Sequence, residues 1–439
     1  MPAIRPQIQG FGVNTAAGRG GQILRVTNTN DTGAGSFREA ATTAGARQIV
    51  FETSGIINLT SAHVNIINGS VSIFGSTAPS PGITIRGPGT VILNAPDIFV
   101  SHVGFRVGVD DIPFGVVRDS LSLNDGINGL VVDHCSLSWS TDELVGMASD
   151  SGGNAAFWRC ILADPMNRSI RGPSDTPHGL AFLHNDNIPA VSVIQCFYAN
   201  CLARVPLSPG PTGGTAGILI ANNICYNKAN SGLWSPTNSG IVLLSIVGNR
   251  FEDGAALNGV PDGKPANEWI RPGAASAGSK GYFMDNTLDK IVVGQWVEPL
   301  YGEEGFGPRR DDTLPTWWPA SFIALLNADV DDVVLPHAGA RPLPGKRVAI
   351  DVRVINNYIN GTGPEQLPDI ATGHPDWSEV PATENTEAFD EGPDPNGASP
   401  TRPGYTKIED IIENMALALE PPAPISGIMP QGRGVAGLS

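Results

Sequence analysis

No stretch of this chain approaches 18 consecutive apolar residues, the length a helix needs to cross a bilayer, so no transmembrane helix is expected. Aromatic residues are scarce: 15 Phe, 8 Trp and 6 Tyr among 439 residues. Any core must therefore be built from aliphatic and small side chains. Only 16 % of residues are charged, and the basic ones are the rarer kind, 27 Lys plus Arg against 43 Asp plus Glu, for a formal net charge of −16. Such a chain is not expected to bind nucleic acid or an anionic membrane non-specifically. It takes an anionic ligand only through a local basic site or a bound cation. Five Cys leave at least one unpaired, and no Cys-x-x-Cys spacing occurs, which disfavours a Cys-only metal site and leaves the redox compartment open. The opening MPAIRPQIQGFG has no apolar core of a signal peptide. Export would use a leader already removed or another route.

What the chain has in plenty is glycine (53), proline (37) and short apolar runs. Several of the runs align on one pattern: an apolar strand, one or two polar residues, a small or polar residue at a fixed place, then a second short apolar run. The series is FVSHVGF at Val103, VVDHCSL at Cys135, AFWRCIL at Cys160, VIQCFYA at Cys196, IANNICY at Asn223, IVGNRFE at Asn249, FMDNTLD at Asn286 and VINNYIN at Asn357. The steps are shortest from Cys135 to Cys160, from Cys196 to Asn223 and from Asn223 to Asn249, and longest from Asn286 to Asn357. The short steps fit one coil of a parallel β-helix, the longer ones fit a coil with a loop insertion, and the last fits two coils or one with a large excursion. RQIVFETSGIINL, VSIFGS, ITIRG and TVILN extend the series upstream. Stacked coils bury together what none buries alone. Aligned Asn would form a ladder at a sharp bend, with Cys135, Cys160 and Cys196 as its small apolar continuation, packed as free thiols.

A sandwich or propeller would need tight hairpin turns between equal strands, and the Asn-Gly and Asp-Gly pairs rarely stand there. All-β, parallel β-helix with long insertions is the expected fold, one solenoid domain over 1–439. Residues from about 370 to 439 read as a loop-rich excursion followed by a capping or strapping helix, YTKIEDIIENMALALE, opened by a Thr406/Glu409 capping box.

Carboxylates gather in the middle coils: Asp119 in DSLSL, Asp133 and His134 in VVDH, and Asp142 with Glu143 in STDELVG. Residues one coil apart stack about 5 Å apart, and the spacing from Asp119 to Asp142, close to the shortest steps of the repeat, suggests that these two face one another. Carboxylates without Cys or His partners suit a hard cation such as Ca²⁺. Turn Asp capping local N–H groups is the plain alternative. Arg159, Arg168, Arg171 and Arg204 supply positive charge in the same coils, either as ordinary surface ion pairs or as part of a polyanion groove. His134, His178 and His184 are further candidates to line it, although a lone His is more often structural.

The segments GFGVNTAAGRGGQILRVTNTNDTGAGSFREA, IVFETSGIINL, STAPSPGITI, DHCSLSWSTDE, RVP and GARPLPGKRVAIDVRVINNYINGTG resemble, in order, the pectate lyases of polysaccharide lyase family 1 and their relatives. The resemblance spans about residues 9 to 363. It implies a right-handed parallel β-helix, a secreted and monomeric enzyme, and calcium-assisted β-elimination of polygalacturonate or a related polyuronate. Carried onto this chain, it makes Asp119 and Asp142 calcium ligands. The family's D-G-L-x-D reads Asp142-Glu143-Leu144-Val145-Gly146 here, so Gly146 replaces the second Asp and Glu143 is the substitute ligand. The family's R-x-P-x-x-R reads Arg204 to Pro209, which keeps the proposed base, Arg204, and loses the second Arg. Arg168, Arg171 and His178 fall among the substrate contacts, and Asp133 has a structural role. Two other classes stay open on the residues: a glycoside hydrolase using paired carboxylates, and a non-catalytic polysaccharide-binding fibre.

Overall fold

A computed structural model describes residues 4–420, apart from residues 61, 109–116, 149–151, 168–177, 186–187, 207–212, 229–232, 236–239, 255–269, 273–277, 289–290, 294–313, 321, 342–344, 366 and 369–375. Short strands repeat in a fixed cycle. One coil runs through Leu121–Leu123, Leu130–Asp133 and Ser136–Ser138, and the next through Glu143–Ala148, Asn154–Trp158 and Ile161–Ala163. Each strand pairs in parallel with its counterpart one coil on. Among the described residues the cycle stacks into two sheets of ten strands and one of five, named here sheet 1 (containing Leu130–Asp133), sheet 2 (Ser136–Ser138) and sheet 3 (Leu121–Leu123), with one further pair of strands, Leu233–Ser235 and Ile270–Pro272. This is a right-handed parallel β-helix, the hand that parallel crossovers take.

Alternation along the strands explains the aliphatic composition. In sheet 1, Leu130 and Val132, then Ala155 and Phe157, then Val191 and Val193 point into the coil. Val131, Ala156, Trp158 and Ile194 point outward and are buried there as well. Ile4, Ile8, Val13, Phe322, Ile408 and Ile412 cover them. The outer face of sheet 2, including Ile161, Phe197, Ile224 and Tyr226, is covered by helices α2 (Val330–His337) and α3 (Ala349–Asn360). Strands buried on both faces read as near-continuous apolar runs. Helix α1 (Phe37–Thr42) adds Phe37, Ala40 and Ala41 to the inner core.

The bend between sheets 1 and 2 is made by a residue in the left-handed region: His102, His134, Arg159, Gln195, Asn222 and Asp285 all have φ between 49° and 55°. Few non-glycine residues adopt this conformation, so the polar residue before each aligned Cys or Asn has a backbone reason. The ladder follows immediately. Asn223 Nδ2 donates to Asn249 Oδ1 at 2.9 Å, and Asn249 Nδ2 donates to Asn286 Oδ1 at 3.0 Å. Cys196 N donates to Asn223 Oδ1 at 2.8 Å, and Cys160 N meets Cys196 Sγ at 3.3 Å. All five Cys are buried free thiols, and burial raises the pKa of Cys135 and Cys160. A second ladder that the sequence reading missed runs along the next bend, from Asn227 to Asn200 to Asp164, with both contacts at 2.7 Å.

Asn357 does not continue the ladder. VINNYIN lies within α3, where Ile350, Val354, Ile355 and Tyr358 are buried at helical spacing. Gly361, at φ 64°, ends the helix by donating to the last carbonyls. An Asn between apolar pairs satisfies both patterns, and the i, i+4, i+8 burial decides for helix.

Helix α4 (Lys407–Leu419) starts where Thr406 N–H donates to Glu409 Oε2 at 2.8 Å. It buries Ile408 and Ile412 against sheet 1, about 1.5–3 kcal/mol each. Its far end meets the start of the chain. Arg5 donates to Asp133 Oδ2 at 2.7 Å, Glu413 Oε2 at 3.3 Å and Glu420 Oε1 at 2.9 Å. His134 Nδ1 lies 2.5 Å from Asp133 Oδ1. Burial alone would raise the Asp133 pKa, but Arg5 and His134 outweigh it and hold the carboxyl ionised. The DH pair thus ties both ends of the described chain to one coil.

Candidate functional site

Sheet 3 differs from the other two. Its outward column, Asn65, Ile92, Ser122, Gly146 and Leu183, is set by the register of successive coils. Asn65 is exposed, and Ile92, Ser122 and Leu183 are half-buried. A cleft of about 350 Å³ opens over this column and is lined also by His63, Thr90, Arg118, Asp119, Asn124, Asp142 and Glu143.

The carboxylates meet there. One oxygen from each of Asp119, Asp142 and Glu143 lies within 4.8 Å of the other two. Leu121 pairs with Val145, so the residue opposite Asp119 on the next coil is Glu143, not Asp142 as the spacing in the sequence suggested. Asp142 sits one place earlier, its N–H bonded to Arg118 O at 3.1 Å. Ser122 Oγ donates to Asp119 Oδ2 at 2.7 Å, and Glu143 N approaches Oδ1 at 3.3 Å. Gly146 leaves the room that Asp119 fills. A Cβ at 146 would stand 2.2 Å from Asp119 Oδ2. Burial first, then the neighbouring Asp142, raise the Asp119 pKa to about 7, against Ser122, Arg204 and Arg118. Three hard oxygen donors this close together fit a divalent cation such as Ca²⁺.

Arg204 arrives from the coil beyond. Leu180 bridges Glu143 on one side and Ala203 on the other, and Phe182 N donates to Arg204 O at 2.8 Å. The Arg204 backbone is left-handed, at φ 62°, and its guanidinium pairs with the Glu143 carboxylate. Burial lowers its pKa, and Asp142 and Asp119 oppose that shift. His178 Nε2 lies 3.7 Å from Asp142 Oδ1. So Asp119, Asp142, Glu143, Arg204 and His178 do converge. Arg168, Arg171 and Pro209 lie outside the described residues.

Arg159 does not share this face. It sits on the bend between sheets 1 and 2, pairs with Glu420 and donates to Gln195 Oε1 at 2.8 Å. His134 belongs to the terminal network, and His184 is buried with Nε2 3.2 Å from Ile188 O. Proximity in sequence misled here because a single coil turns through all three sheets, so near neighbours in the chain face different sides. The sequence reading also missed Arg118 and His63. Arg118 adjoins Asp119, but His63 reaches the cleft only through the register of two coils.

Fold and site together define a β-helical protein with a cation-competent acidic cleft beside a half-buried arginine. No protein-family model matches the chain. It is 30 % identical to a probable pectate lyase C of Aspergillus fumigatus over 354 residues, 80 % of this chain and 75 % of that protein. It is 31 % identical to the protein of the same name from Neosartorya fischeri over 372 residues, 84 % and 80 % of the two chains. Among solved structures, pectate lyase Bsp165PelA from Bacillus sp. N165, in complex with trigalacturonate, matches with a TM-score of 0.47 at 12 % identity, over 76 % of this chain and 98 % of that one. The chain belongs to the pectate lyase family.

Proposed function

We propose that this chain cleaves polygalacturonate, or a closely related polyuronate, by β-elimination in the cleft over sheet 3. The observation that carries the reading is the meeting of Arg204 with three carboxylates gathered within 4.8 Å. Asp119, Asp142 and Glu143 would hold Ca²⁺. Bound there, the ion would neutralise the uronate carboxylate and make the adjacent C5 proton more acidic.

The protein's own groups do the rest. Arg204 stands where a base or a charge stabiliser is needed. As a base it must act in its neutral form, which burial favours and its pairing with Glu143 opposes. The C5–H electron pair forms the C4–C5 double bond, the C4–O4 bond breaks, and O4 leaves with a proton from water. Left protonated, Arg204 instead stabilises the negative charge that develops next to C5, and water takes the proton. His178, and Arg168 and Arg171 from the adjoining segment, contact the sugar chain in this reading. The three carboxylates gather at one point rather than flanking a bond, which disfavours a hydrolase using two opposed carboxyls. The same reading makes the enzyme a secreted one, since its substrate is an extracellular polymer, and we propose that it acts as a monomer.

The test is incubation with polygalacturonate while following the ultraviolet absorbance of the unsaturated uronide, with Ca²⁺ or with a chelator. A Ca²⁺-dependent rise that Arg204→Ala abolishes is expected. New reducing ends without the absorbance would point to hydrolysis. Neither signal, with polymer still bound, would point to a binding protein.

A further inference from the structure

We infer that Arg118 and His63 form an anion subsite for a second uronate carboxylate of the same substrate chain, beside the sugar held at Asp119, Asp142 and Glu143. The inference rests on the polyuronate reading above. Both residues line the cleft that the carboxylates line.

Arg118 is unusual in its partners. Its Nε donates to Pro88 O at 2.8 Å and its Nη1 to Val117 O at 2.9 Å, while its backbone N–H donates to Thr141 Oγ1 at 2.8 Å. These bonds fix the side chain on neutral acceptors. No carboxylate forms an ion pair with it among the described residues, and Nη2 has no acceptor there. By contrast, Arg5, Arg19, Arg25, Arg38, Arg204 and Arg353 all pair with carboxylates. Arg47, Arg341 and Arg347 also hold only carbonyls, but Arg47 and Arg341 are buried and none of the three lines the cleft. Arg118 is half-buried on an open wall. Asp119 is near enough to act on its charge but forms no ion pair with it, and in a chain of net charge −16 a fixed guanidinium in a cleft with no carboxylate in direct contact is an arrangement that a ligand carboxylate completes.

His63 adds a second donor. Its Nδ1 accepts the Thr90 N–H at 3.2 Å, so the neutral ring carries its proton on Nε2. That N–H has no acceptor among the described residues. Burial, with Arg118 and Arg38 nearby, keeps the ring neutral. Val64 pairs with Val91 and Val91 with Leu121, so His63 stands two coils before the Asp119 coil, about 10 Å along the stack. A uronate polymer carries one carboxylate per sugar, so a chain lying along the stack brings another carboxylate over this wall. A methyl ester there offers no charge to Arg118. The subsite therefore selects for an unesterified neighbour.

The experiment is calorimetric titration of trigalacturonate at saturating Ca²⁺, in an Arg204→Ala background that keeps the sugar intact. Adding Arg118→Gln should raise Kd about tenfold, the scale of one lost charge-assisted hydrogen bond. Adding Arg118→Lys should recover much of the affinity, and adding His63→Ala should cost about threefold. The fully methyl-esterified trimer should bind the background protein and its Arg118→Gln variant equally. Ca²⁺ titrated without sugar should bind the Gln variant at least as tightly, because a positive charge beside Asp119 is gone, so the loss cannot be a loss of calcium. A trigalacturonate Kd within twofold of the background, or an equal loss for the ester, overturns the subsite. Failure of the background protein to bind trigalacturonate at all overturns the polyuronate reading, and the subsite with it.

Discussion

Gly146→Ala adds one methyl group and separates two accounts of this glycine. Its Cβ would stand 2.2 Å from Asp119 Oδ2 and 2.6 Å from Cγ, where ordinary contact begins at 3.4 Å. The carboxylate must retreat until that gap is closed. The motion pulls it from Ser122 Oγ, now at 2.7 Å, and from Glu143 N, at 3.3 Å. A hydrogen bond to an ionised group contributes ~1.5–3 kcal/mol. Losing one that orients a ligand should weaken Ca²⁺ binding about tenfold to a hundredfold. If Gly146 were only a weak strand residue, Ala would stabilise the fold by ~0.5–1 kcal/mol and leave Ca²⁺ binding alone. Calcium titration calorimetry and a thermal melt on the same variant separate these accounts. Calcium affinity within twofold of wild type would refute the argument. The same geometry predicts that Gly146→Asp, which writes the family's residue back in, also weakens the site, because its Cβ collides before its carboxylate can help.

Two further outcomes follow from the fold. Asn249→Ala should destabilise the protein by ~3–5 kcal/mol, seen as a lower urea midpoint. It strands Asn223 N and one of the two Nδ2 hydrogens of Asn223 as donors in the interior and removes the donations to Ile220 O and Asn286 Oδ1, the latter keeping the residue-249 backbone N–H. A loss below about 1 kcal/mol would mean that the ladder adds little. Stability should also fall with acid in two stages. Burial lowers the pKa of His102, His134 and His337, the last to about 4. The unfolded chain binds those protons near pH 6.5, so their contribution is complete above that and is lost as pH falls toward 4. Burial would raise Glu420, but His134, Arg5 and Arg159 outweigh it and hold it to about 2. Its contribution drains from about pH 4.5 downward. Asp119, whose carboxyl burial raises to about 7, titrates with the opposite sign over the same range, so melting midpoints measured from pH 8 to 4 in an Asp119→Asn background test this, and a flat profile between pH 7 and 4.5 there would contradict it.

Much of the architecture was legible because it repeats. Strand, bend and strand recur with Cys or Asn at one place, and that place needs only local chemistry: a left-handed residue, then a side chain that fits a stacked interior. The α4 capping box was legible for the same reason, since Thr406 and Glu409 lie within one turn. Asp119, Asp142, Glu143 and Arg204 could be picked out by residue type and resemblance. The sequence alone left undecided which of them touch. Insertions of differing length separate the strands, so the step from one coil to the next is not constant, and a one-residue change of register puts Glu143 rather than Asp142 beside Asp119. Only the assembled coils could assign Arg159 to the terminal network, turn VINNYIN into a helix over sheet 2, and bring Arg5 to Glu413 and Glu420. Local pattern fixes how each coil bends. What lies against the outside of a coil depends on chain hundreds of residues away, and burial of apolar surface there is settled only when the whole solenoid closes.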